Sequence, residues 1–166
     1  MLRLLRVLAL LLPAALASTA ARAEPSQASR DFLEQAALLG QYQLLASDVA
    51  IERGGAQLQP LANLLLADHA AVGARLAQLA AERGIDLPAK PGPGEEQMLA
   101  RLREVSASDF DALWLRQQQT AYESALALFA GYASEGDDPA LRAFAAEVLP
   151  TLNAHLDDIE ALLVTQ

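Results

Sequence analysis

Two imidazoles are the residues in this chain most able to do chemistry. His69 and His155 are its only histidines, and the chain has no cysteine. Each sits inside an apolar series with helical spacing. The first runs Ala62, Leu65, His69, Val72, Leu76, Leu79, and the second Leu141, Phe144, Val148, Leu152, His155, Ile159, Leu162. Steps of three and four place each series on one helical face. Two further series carry a polar residue near the midpoint. They are Phe32, Ala36, Leu39, Gln43, Ala46, Ala50 and Leu115, Gln118, Tyr122, Ala125, Phe129, Tyr132. An ionisable or polar group on a dry stripe needs a partner, because burying it unpaired costs about 2–7 kcal/mol. If four such helices lie side by side with their midpoints level, Gln43, His69, Tyr122 and His155 form one buried polar layer. Gln118 then lies close by, with Asp68 or Asp158 at its edge.

Two kinds of chemistry fit that layer. In the first, imidazole, phenol and amide satisfy one another as a hydrogen-bond network that fixes packing register. In the second, His69 and His155, with Asp68, hold a divalent transition metal at the bundle centre. The ligand count favours the network. Di-iron bundles place a glutamate three residues before each histidine, and Leu66 and Leu152 occupy those positions here. Nothing else points to catalysis: there is no cysteine nucleophile, no glycine-rich phosphate loop and no nucleophile elbow. Trp114, beside the Leu115 stripe, reads as rim packing.

The elements that must position these residues are helices. Ala and Leu dominate, and no alternating apolar run exceeds a few residues. Residues 24–28 read as a loose lead-in, with Ser29 capping a first helix that stops at Gly54-Gly55. A second helix starts near Pro60 and runs to Gly84. The segment 85–94, with Pro88, Pro91 and Pro93, reads as a non-helical linker before a short helix from Glu95 to about Arg103. Ser106 and Ser108 offer caps for the next long helix, the latter with Asp111 as a capping-box partner. Asp138-Pro139 starts the last helix, with a bend expected at Pro150. Four long stripes bury one another most simply as an all-α antiparallel four-helix bundle, with the short extra helix in the middle linker.

Residues 1–23 read as a signal peptide. Arg3 and Arg6 precede an apolar run from Val7 to Leu16, and Ala21-Arg22-Ala23 supplies small residues for cleavage before Glu24. The run is too short for a membrane span of about 20 residues. Periplasmic export by the general secretory route follows as the expected localisation. Removing Arg3, Arg6 and Arg22 leaves 9 basic against 21 acidic residues, a net charge of −12. Such a surface argues against nucleic acid and anionic lipid as partners, leaving a protein partner or a homo-oligomer. With no cysteine, a domain over residues 29–166 must rely on its core alone, and that length can supply one.

Several phrases resemble a bacterial family of exported ferritin-like domains of unknown function, often labelled "predicted outer membrane protein". They are Leu61-Ala62 with Asp68-His69, Leu76 and Gly84-Ile85-Asp86-Leu87-Pro88; Phe110-Asp111 with Ala125 to Phe129; and Asp138-Pro139-Ala140-Leu141 with Leu149-Pro150 and His155-Leu156. The resemblance spans 29–163 and implies a ferritin-like bundle. It also implies a glutamate on the first helix and a histidine on the third long helix, which align with Gln43 and Tyr122 here. Both family ligands are thus replaced, while Asp68-His69 and His155 match. The outer-membrane label has no counterpart in the residues, which show no barrel-strand pattern. The function expected is a non-enzymatic envelope or stress-associated role, with a metal-binding or redox bundle as the alternative.

Overall fold

The computed structural model describes residues 24–165; the expected signal peptide, residues 1–23, lies outside them. Among the described residues there are five helices and no strand. They are α1 (Gln27–Arg53), α2 (Gln59–Ala81), α3 (Pro93–Glu104), α4 (Ala107–Glu135) and α5 (Pro139–Leu163). The chain is a helical bundle in which α1 packs on α2 and α4 packs on α5. α1 also meets α3 and α4, and α2 touches α5. One continuous core joins them, with Phe32, Leu33, Leu65, Leu115 and Leu141 fully or almost fully buried.

Local chemistry sets the helix ends. Ser26, not Ser29, caps α1: its side chain accepts from the backbone N–H of Ser29, so the helix begins at Gln27 and the lead-in shrinks to residues 24–26. Ser29 is recruited elsewhere. Its hydroxyl shares a hydrogen bond of 2.7 Å with the Tyr132 hydroxyl and donates to Asp137, 108 residues on. The α2 helix ends at Ala81, and Gly84 adopts φ +65°, the left-handed value that glycine reaches without strain. Pro93 and Gly94, expected in the linker, form the first turn of α3, where a missing N–H leaves no bond unmade.

The Ser108–Asp111 capping box does not form. Asp111 instead accepts from the backbone N–H of Gly55 at 3.0 Å, tying the α1–α2 turn to α4. Ser106 is the N-cap residue of α4, and its hydroxyl donates to Asp109. Asp138 caps α5 as expected, accepting from Ala140 and Leu141 N–H. The same carboxylate takes both arms of the Arg83 guanidinium at 2.8 Å, which holds its pKa below the ordinary carboxylate value. This pair fastens the end of α2 to the start of α5. At the other end Arg53 donates to the carbonyls of Leu102 and Val105 and stacks over Phe110. α5 continues as helix through Pro150.

Candidate functional site: a buried row of four side chains

The midpoints of α2, α4 and α5 meet. His69 Nε2 lies 2.6 Å from the Tyr122 hydroxyl, which lies 3.1 Å from His155 Nδ1. His155 Nε2 lies 2.9 Å from Asp68 Oδ2. The result is a single row, His69–Tyr122–His155–Asp68, starting and ending on adjacent residues of α2. Tyr122 is fully buried, and His155 and His69 are 3% and 8% exposed. Only the Asp68 end is open, with its side chain 40% exposed.

Acceptor-only chemistry at Asp68 gives the row a direction. A carboxylate oxygen accepts, so His155 Nε2–H donates to it. The neutral tautomer with its proton on Nε2 presents Nδ1 as an acceptor, and the Tyr122 hydroxyl donates to it. The tyrosine oxygen in turn accepts from His69 Nε2–H, which leaves Nδ1 of His69 with its lone pair. Burial favours the neutral ring at His69: its pKa falls from 6.5 to about 4, chiefly by desolvation, next by the nearby His155, with Asp68 opposing. Burial also pushes the Tyr122 hydroxyl well above its ordinary value, with Asp68 adding to the rise. Tyr122 therefore stays a neutral donor and acceptor.

Gln43 and Gln118 are also buried, at 3% and 0% exposure, but neither joins the row. Gln43 Oε1 and both amide atoms of Gln118 have no hydrogen-bond partner among the described residues. Gln43, His69 and Tyr122 instead line a common cavity of about 380 Å³. Helical spacing puts Gln43 at the right level, but no hydrogen bond carries the row onto α1. Asp158 is exposed on α5 and stays outside the row.

Three buried groups escaped the sequence reading. The Tyr42 hydroxyl donates to Gln117 Oε1 at 3.1 Å, and Gln117 donates to the Met98 carbonyl of α3. Ser47 is fully buried. Trp114 is not a rim residue: it is fully buried, and its indole N–H donates to the Ala46 carbonyl at 2.9 Å. α3 covers a second face of α1 and α4, which a single-stripe reading leaves to solvent.

The donor set fits a hydrogen-bond row better than a metal centre. Both ring nitrogens of His155 are engaged, and His69 Nε2 and His155 Nδ1 converge on one phenol oxygen. Among the described residues there is no group of three or more His, Asp or Glu arranged to hold an ion.

A family model described as "Domain of unknown function (DUF4142)" matches residues 14–162. No curated protein matches the chain. Among solved structures it is similar to the "Crystal structure of DUF305 fragment from Deinococcus radiodurans", with a TM-score of 0.76 at 13% identity. The match covers 85% of this chain and 98% of that one. Likeness at that identity is a likeness of fold.

Proposed function

The chain belongs to the DUF4142 family of unknown function, and from that footing we propose that it is an exported, non-enzymatic envelope protein. In this reading α1, α2, α4 and α5 form an antiparallel four-helix bundle of ferritin-like type, and α3 is an insertion in the middle link. The buried row is a structural device that locks α2, α4 and α5 in register. One observation carries this reading: three side-chain bonds run from α2 to α4, from α4 to α5 and from α5 back to α2, so each of these helices is held by two of them. Export is supported by the basic start, apolar run and Ala-Arg-Ala close of residues 1–23.

The metal-binding alternative keeps one foothold. Asp68 is exposed enough to reach bulk solvent while bonded to His155, so a divalent transition metal entering there would have to break that bond. One set of measurements separates the readings. The full chain is expressed with a C-terminal tag in a Gram-negative host, fractionated, and weighed by mass spectrometry. A periplasmic product starting at Glu24 is expected, and a cytoplasmic product of full mass ends the export proposal. The purified protein is then titrated separately with iron, manganese, zinc and copper. No bound metal and an unchanged Tm are expected. Stoichiometric binding that is lost in His155→Ala would replace the structural reading with the metal one.

A further inference from the structure

The chain has three tyrosines, and their hydroxyls meet three different acceptors. Tyr42 donates to the amide oxygen of Gln117, which is too weak a base to take a proton. Tyr132, near the end of α4, donates to the exposed Asp137. Hydroxyl donors, Ser26 first, hold that carboxylate below its ordinary pKa and make it a poor base. Tyr122 donates to an imidazole nitrogen, His155 Nδ1, at 3.1 Å. Of the three, it alone has a proton acceptor of useful strength.

That difference matters for losing an electron. The cation radical of a phenol is a very strong acid, so oxidation is easy only where the proton can leave with the electron to a positioned base. Around Tyr122 the proton has one way out. His69 Nε2 already carries a hydrogen aimed at the phenol oxygen, 2.6 Å away, and so cannot accept. His155 Nδ1 can, and the same ring is bonded on its far side to Asp68 at 2.9 Å. Once protonated, His155 is an imidazolium facing a carboxylate, and no unpaired charge is left in the core. The Tyr122 ring is fully buried, which keeps a radical on it from coupling with another molecule.

We propose that Tyr122 is a reversible one-electron donor that quenches small outer-sphere oxidants, of which the carbonate radical anion is the type. The electron passes to the oxidant, which in that case becomes carbonate. The Tyr122 O–H bond breaks as an N–H bond forms on His155 Nδ1. The products inside the protein are a neutral tyrosyl radical and a His155–Asp68 ion pair. An electron from a one-electron reductant such as ascorbate then draws the proton back along the same hydrogen bond and restores the row. The step needs no bound metal, and it goes beyond the role of the row in holding register.

The test photo-oxidises the purified chain with a ruthenium tris-bipyridine sensitiser and a cobalt(III) acceptor. Transient absorption and electron paramagnetic resonance follow the product. A tyrosyl signal is expected, and ring-deuterated tyrosine should narrow it, which separates it from a radical on Trp114. Tyr122→Phe should abolish the signal, while Tyr42→Phe and Tyr132→Phe leave it unchanged. If Tyr122→Phe does not fold, the other two variants place the radical by elimination. His155→Gln leaves the hydroxyl an acceptor but no base, and should slow radical formation about a hundredfold. After ascorbate the chain should regain its original mass and give the same signal again. Absence of a tyrosyl signal overturns the proposal, as does its loss in Tyr42→Phe or Tyr132→Phe. So does an undiminished rate in a His155→Gln protein that keeps its helical circular dichroism. A lasting gain in mass overturns the reversibility. None of these outcomes depends on export or on metal.

Discussion

At the scale of single residues, Tyr122 is the member of the row with most to lose. Its hydroxyl oxygen is the one atom of the row bonded to two partners, so Tyr122→Phe leaves both His69 Nε2 and His155 Nδ1 without a mate. We expect a loss of about 2–4 kcal/mol in urea unfolding, against about 1–3 kcal/mol for His69→Ala. A Phe variant as stable as the parent would show the row contributing nothing. The titration of His69 adds a pH dependence of definite sign. Unfolding releases a ring that takes up a proton below about pH 6.5, while the folded ring resists until about pH 4. Its contribution is therefore complete above pH 6.5 and declines as pH falls toward 4, by a total on the order of 3 kcal/mol. Urea midpoints at pH 7.5 and pH 4.5 should differ more in the parent than in His69→Phe, which has no ring to protonate.

At the scale of elements, what was legible in the sequence was local, and what was missed came from distant chain. The four stripes and the Asp138-Pro139 start could be read from period and cap chemistry, because each depends on neighbours within a few residues. Ser26 and Ser29 are equally good caps by composition. The choice falls to Ser26 because Tyr132 and Asp137, far along the chain, hold the Ser29 hydroxyl. Likewise, Trp114, Tyr42 and Gln117 are buried, and the position of α3, whose Met98 carbonyl accepts from the Gln117 amide, is not written in any spacing. Level along a helix was readable for Gln43; the gap separating it from a partner was not. Two variants test the helices themselves. Gly73→Ala should stabilise by about 0.5–1 kcal/mol, since helix propensity improves and the added methyl meets nothing. Asp138→Ala should cost about 1–2 kcal/mol through loss of the α5 cap. Asp138→Asn, which keeps a capping oxygen but not the charge facing Arg83, should cost less; equal losses would mean the ion pair, not the cap, dominates.

At the scale of the whole molecule, the described helices are tied at three levels. Arg83 and Asp138 join α2 to α5 at one end, Arg53 and Asp111 join the α1 end to α3 and α4 at the other, and the row crosses the middle. Arg83→Ala should therefore lower Tm while the metal titrations stay as in the parent, since the end clamp lies away from the row. The middle tie differs from the end ties because it closes on itself: its bonds run from α2 to α4, from α4 to α5 and from α5 back to α2. Any single bond of such a loop can open and the three helices stay joined in line through the other two, a redundancy that a straight tie between two elements lacks.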